Sequence, residues 1–508
     1  MKAAPAPAGL AEQSEKRSLL TTCMFGLLLI GWVAESPLLP GDGVTYHDHW
    51  RSLFVVFAPI MASVPGISVS VWQLLLLALL PFCLKTSQHS REMDQAIFAS
   101  VACLAITFLW GLVRGGSAYY AYYQVWHFLA ALLIAFQLMS AVRSKRDLVT
   151  LGKIVVLAAL IRATLCIYYF WVHLYGQVDP LPDYVTNHDD SMLWVVAVLI
   201  LGIWVLVKGG RVTWAIAGVS IPYILYAIVL NARRIAWVEL GLAAALTYFL
   251  MDAGPLRSRI NRWAIRALPL LLLYIILGWG SNSAVFEPVR ALTTTGSNQD
   301  ASSLTRLEED RNLLHTLADI GNPVFGTGWG RPYDKLESIY SNYDPRWILY
   351  LYTPHNSLLG LAAFSGLIGV FGIWGVVTMG AYLGARGYMG SDNPVQRTAG
   401  MVAVGSLAVY GAHCYGDIGL QSFEGALILG AALATAGKVA AWSSAVPVPK
   451  PVTTRAGVGR PVPKPRFAYR KAAADLRRPE LTSSKPGPSA GNNVTGKPGR
   501  TPMRSRRR

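Results

Sequence analysis

Apolar runs of roughly 17–25 residues follow one another along most of the chain, each closed by a short polar or Gly/Pro-containing link. A run of that length crosses about 30 Å of hydrocarbon as an α-helix, and only helices or a closed barrel satisfy the backbone there. The short alternating strands of a barrel are missing from the pattern, so the sequence predicts an all-α polytopic membrane protein. About twelve transmembrane helices are expected, at 19–33, 64–84, 95–113, 121–141, 151–172, 191–207, 212–230, 235–251, 267–281, 355–383, 398–414 and 420–441. The apolar stretch from Leu53 to Pro65 reads as a re-entrant or interfacial piece before the second of these.

The alternation fails once. From 282 to 354 the chain is polar, and it then turns apolar again through Thr353-Pro354-His355-Asn356-Ser357. The expected organisation is an N-terminal segment (1–18), nine helices (19–281), a large loop containing helices (282–354), three last helices (355–441) and a tail (442–508). A loop of that length is where chemistry sits on an otherwise apolar scaffold. No internal repeat is evident, which disfavours a carrier built from two similar halves.

Composition agrees: of 508 residues 53% are hydrophobic and 14% charged. The net charge of +17 is concentrated in the tail, where sixteen Lys/Arg from Lys450 to Arg508 face only Asp475 and Glu480. Rich in Pro, Gly and Ser, the tail is expected to be disordered and drawn to anionic lipid headgroups rather than to nucleic acid. One set of alternate loops collects thirteen Lys/Arg, from Lys85 to Arg397; the other has Arg51, Arg114, Arg233 and Arg234. Basic loops stay cytoplasmic, so both termini are expected inside and the 282–354 loop outside, on the periplasmic face of a bacterial inner membrane. The run from Leu19 to Val33 reads as a retained span, since Ala34-Glu35-Ser36-Pro37 is a poor cleavage site. The five cysteines fall in or beside spans and suggest neither a disulfide framework nor a metal site.

Several polar residues stand out against this background. Arg233 and Arg234 begin a span in LNARRIAWVEL, against the positive-inside trend; paired guanidinium groups at a helix N-terminus make a diphosphate cradle, although snorkelling to lipid phosphate is the simpler reading. In SSLTRLEEDRNLLHTLADIGNPVFGTGWGRPY, a helix carrying Arg306, Arg311 and His315 leads into a glycine-rich turn and Arg331. The commoner fate of that charge run is internal pairing of its arginines with Glu308, Glu309 and Asp310. His355 is expected in the first turn of a span, where an imidazole can act as base or donor, with Asn356 beside it to orient the ring or a sugar hydroxyl. His188-Asp189-Asp190 could bind a cation, and Arg162 and Glu239 could pair between helices. Signatures of metalloproteases, P-loop NTPases and serine hydrolases are missing.

Three segments, in order, resemble the O-antigen ligase/polymerase family of bacterial membrane glycosyltransferases: LNARRIAWVELGLAAAL, RLEEDRNLLHTLADIGNPVFGTGWG and PHNSLLGLAAFSGLIGVFG. The resemblance implies cofactor-free and metal-independent transfer of a glycan from undecaprenyl diphosphate, the donor partner, on the periplasmic face. The acceptor is a lipid-linked glycan for a polymerase or lipid A–core for a ligase, and other polysaccharide-assembly proteins are candidate partners. By the same resemblance His355 and Arg234 are the catalytic residues. Arg233, Arg234 and either Arg306 or Arg311 hold the diphosphate; Asn356, His315 and Arg331 are expected at the acceptor sugar. The Asn-x-Arg-Arg start and the Asp310-Arg311-Asn312 run favour polymerisation of O-antigen or exopolysaccharide units. Ligation to lipid A–core or protein is the alternative, and a lipid-linked oligosaccharide flippase is the alternative of another class.

Overall fold

The computed structural model describes residues 18–34, 59–60, 69–84, 90–179, 181, 184–281, 283–286, 288–289, 301–336 and 351–444. Helices dominate among them: α1 (Leu19–Ala34), α2 (Val71–Cys83), α3 (Arg91–Val113), α4 (Ala118–Ala141), α5 (Lys145–Tyr169, prolonged by a π turn to Leu174), α6 (Asp189–Lys208) and α7 (Arg211–Asn231). After them come α8 (Ile235–Leu250), α9 (Pro255–Gly278), α10 (Ala301–His315, prolonged by a π turn to Ile320), α11 (Ser357–Met389), α12 (Pro394–Gly416) and α13 (Phe423–Ser444). The described extended structure is a two-residue antiparallel pair, β1 (Pro59–Ile60) with β2 (Val69–Ser70).

Local chemistry sets the helix starts. Ser90, Ser144 and Asn393 cap α3, α5 and α12, the second through a full capping box with Asp147, and Pro255 and Pro394 occupy first turns. Among the described residues eight helices are long and apolar enough to cross a membrane: α3, α4, α5, α6, α7, α9, α11 and α13. With the shorter apolar α1, α2 and α8, they make this a multi-pass membrane protein. Helix α9 begins twelve residues before the expected span edge, because the arginine-rich stretch 255–266 continues the helix without a breaker. The tail, the first 17 residues and the loop segments 290–300 and 337–350 lie outside the described residues, as do His47, Asp48 and His49.

Helices α11, α12, α13 and α4 pack together at the centre, with α3 against α11 and with α6 and α8 against α12. Small side chains permit this. Ala426, Ala432, Ala436 and Ala440 of α13 are buried, and a Cβ added at Gly384 of α11 or Gly400 of α12 would meet the other helix's backbone. Inside α11, Gly366 leaves helical geometry at φ 56°, ψ −158°, and this break receives the loop.

Candidate functional site

The α7–α8 junction shows how LNARR folds. Buried Asn231 accepts the backbone N–H groups of Val185 (3.1 Å) and Thr186 (2.7 Å), pinning the segment that carries Tyr184 and His188. Ala232 then takes a left-handed conformation (φ 50°), and the chain turns into α8. Arg233 projects from this turn across the face of Tyr184, 3.6 Å from guanidinium to ring centroid. Its Nε and Nη2 groups are buried and find no hydrogen-bond partner among the described residues. Burial pushes its guanidinium down to about 10, against the pull of Asp417 and Tyr184, while the charge of Arg306 adds to the downward push. Arg234 is the residue from which α8 springs, and it is half-buried.

Helix α10 turns its acidic run inward. Glu309 is fully buried; one carboxylate oxygen accepts the backbone N–H of His355 at 3.0 Å and lies 3.2 Å from Nδ1 of the same residue. Asp310 accepts the side-chain N–H of Asn356 at 3.0 Å, and burial raises its carboxyl against that bond. Two of the three acids expected to pair with α10's own arginines therefore hold the approach to α11. Asn356 also caps α11 by accepting the N–H of Leu359 at 3.1 Å, so His355 stands one residue before the cap and not in the first turn. With Nδ1–H donated to Glu309, Nε2 becomes the basic nitrogen of the ring.

The glycine-rich turn approaches protein backbone. Thr327 and Gly328 donate to the carbonyls of Ala363 and Phe364 (both 2.9 Å), and Leu367 and Ile368 donate back to Pro323 and Val324 (3.0 and 3.1 Å), across the break at Gly366. Gly328 (φ 89°) packs on Gly111 of α3, where an added Cβ would sit 2.2 Å from its Cα. Trp329 inserts its indole N–H onto Thr107 at 2.8 Å. Gln124 of α4 accepts the N–H of Gly330 (2.6 Å) and donates to the carbonyl of Tyr352 (2.7 Å), clamping both ends of the segment that leads back to His355.

Asp417, at the C-terminus of α12, joins the two halves. It is buried, ion-paired with Nδ1 of His188, and its carbonyl accepts the Ser357 hydroxyl at 3.1 Å. Burial alone would raise its carboxyl; the rings of His188, His413 and His355 outweigh that and hold it well below the usual carboxylate range. One turn deeper, His413 bridges Glu239 (2.7 Å) and Asp189 (3.2 Å), and Arg162 makes a two-pronged contact with Asp190 (2.6 and 2.8 Å) and lies 3.7 Å from Glu424. The expected Arg162–Glu239 pair is thus not formed; each has a nearer opposite charge. His188, Asp189 and Asp190 are likewise spread over three different ion pairs.

Of the residues singled out in the sequence, Arg233 and His355 both act on the carboxylate of Asp417, and Arg306 and Asn356 both act on Asp310, while Arg311 is exposed on α10. His315 has both ring nitrogens against carboxylates, Asp319 (2.7 Å) and Asp334 (3.3 Å), which fasten the end of α10. Arg331 is half-buried, next to the clamped Gly330. Sequence reasoning missed Asp417 and Tyr184 and misassigned Glu309; an aspartate between glycines where a helix ends, in CYGDIG, was the available signal for Asp417.

Chemically, the cluster offers hydrogen-bond donors with positive charge for an anion, beside an imidazole whose tautomer is fixed by a carboxylate. The fold is that of a multi-pass membrane protein with this polar cluster at the ends of α7, α10 and α12 and the start of α11. Residues 219–374 match the family model described as O-antigen ligase. The match likens this segment, about a third of the chain, to O-antigen ligases. It spans Arg233 through Asn356 and excludes Tyr184, His188 and Asp417. No curated protein matches the chain.

Proposed function

We propose that the protein is an inner-membrane glycosyltransferase that takes a glycan from undecaprenyl diphosphate on the periplasmic face and polymerises O-antigen or exopolysaccharide repeat units. The observation that carries this reading is Arg233: a guanidinium whose buried Nε and Nη2 find no partner among the described residues, acting on the same Asp417 carboxylate as the Glu309-bound imidazole of His355, suits an anionic leaving group beside an acceptor hydroxyl. In the proposed step Nε2 of His355 takes the proton of the acceptor hydroxyl as its oxygen attacks the anomeric carbon. The bond from that carbon to the phosphate oxygen breaks with inversion, and undecaprenyl diphosphate leaves with its electron pair. Arg233 and Arg306 hold the charge that grows on it, and Arg234 supports the same cradle from the start of α8. Diphosphate is already a competent leaving group, so cations serve it better than a proton donor.

Transfer to lipid A–core is the second reading, favoured by the description of the matching family. Deleting the gene and complementing it separates the readings by chain length on a gel. Loss of a polymerase leaves single repeat units, loss of a ligase leaves long chains on undecaprenyl diphosphate, and loss of a flippase traps units inside the cell. Full-length polymer from both His355→Ala and Arg233→Ala would sink the site assignment.

A further inference from the structure

The end of the bundle remote from Arg233 and His355 has a basic cavity of its own. There α6 ends at Lys208, α9 begins at Pro255, α11 ends at Met389 and α12 begins at Pro394. Between them lies a cavity of about 370 Å³ lined by Arg259, Arg397 and Tyr388 together with Leu206, Leu256 and Met401. Arg397 is already engaged, through Asp252 (2.5 Å) and the Tyr388 hydroxyl (2.8 Å). Arg259 has no carboxylate partner among the described residues, and neither do Arg262 and Arg266. Spaced i, i+3, i+7, these three arginines share one face of α9, and the first of them lines the cavity.

The length of α9 says where that face lies in a bilayer. Of a helix long enough to cross the bilayer, only the first half carries charge and Ala267–Gly278 carries none, so the arginines sit toward the end where α9 begins. The arginine face is therefore drawn to headgroup depth, where guanidinium groups meet lipid phosphate. A lining that combines arginine with aliphatic side chains matches a phosphodiester with its acyl chains, and matches a free anion poorly.

We propose that this cavity is a specific binding site for an anionic glycerophospholipid, its phosphodiester on Arg259 and its acyl chains against Leu206, Leu256 and Met401. The test uses the full-length protein purified in detergent, with phosphatidylglycerol, phosphatidylcholine and inorganic phosphate as probes and native mass spectrometry as the readout. Phosphatidylglycerol should stay bound where phosphatidylcholine does not, and inorganic phosphate should not displace it. Arg259→Gln should lower its retention about tenfold, the scale of one charge-assisted contact. Arg259→Lys should keep most of it, and Arg211→Gln at the same end of the bundle should leave it unchanged. Equal retention of phosphatidylcholine, displacement by phosphate, or an equal loss with Arg211→Gln would overturn the proposal. Should Arg259→Gln fail to fold, the comparison of probes on the unaltered protein decides.

Discussion

The carboxylate of Glu309 reaches both the backbone N–H and the ring Nδ1 of His355, across 46 residues of sequence and out of a fully buried position. A carboxylate so placed selects the tautomer of the imidazole and leaves Nε2 as the nitrogen that can take a proton. Glu309→Gln should keep the fold and lower transfer by about 10²–10³-fold, the share general base catalysis supplies. Product ladders from membranes containing the variant check this, with circular dichroism as the control for folding.

Arg233 and Arg311 should respond in opposite ways. Arg233→Ala removes the donors that face the cluster, and a loss of about 10²–10³-fold in turnover is expected. Arg311 is exposed on α10, and Arg311→Ala should stay within about twofold of the parent, as surface substitutions usually do. Single-turnover assays with a lipid-linked donor measure both.

Asp417 gives a pH signature. Its carboxyl is held below the ordinary value of 3.8, so the native state binds that proton less readily than the unfolded chain does. The stabilisation is present above 3.8 and fades as pH falls below it toward the folded-state value. The melting temperature in detergent should fall in that acid range for the parent protein, and Asp417→Asn should flatten the decline.

Gly366 bears the backbone break in α11 at φ 56°, and an added Cβ would lie 2.5 Å from the Val324 carbonyl carbon. Gly366→Ala should cost about 1–3 kcal/mol of stability through strain alone. It should also lower activity by displacing the turn. A melting curve together with the product ladder separates the two effects.

Much of the body was legible in the sequence because apolar periodicity is a local signal. The helices fall near the expected spans, and α9 departs only where arginines continue the helix unseen by hydropathy. His355 stood out because an imidazole at the edge of an apolar run is unusual. The choice between Arg306 and Arg311 was not legible, since it depends on the rotation of α10 about its axis. Nor was the destination of Glu309, whose neighbouring arginines offered a closer partner in sequence. Asp417 was hidden for a related reason: its neighbours come from the residue before α6, the turn between α7 and α8 and the start of α11, and no spacing rule links them.

Hydrogen bonds from Thr327 and Gly328 to Ala363 and Phe364, together with the grip of Gln124 on Gly330 and Tyr352, tie the loop to the membrane helices at several points. The described part of the loop and the first half of α11 consequently form one inheritable module: a loop exchanged between relatives has to carry the glycine turn and the Gly366 break along with it. Transplanting α10 alone would leave His355 facing a foreign carboxylate register, with the imidazole present and its proton path lost.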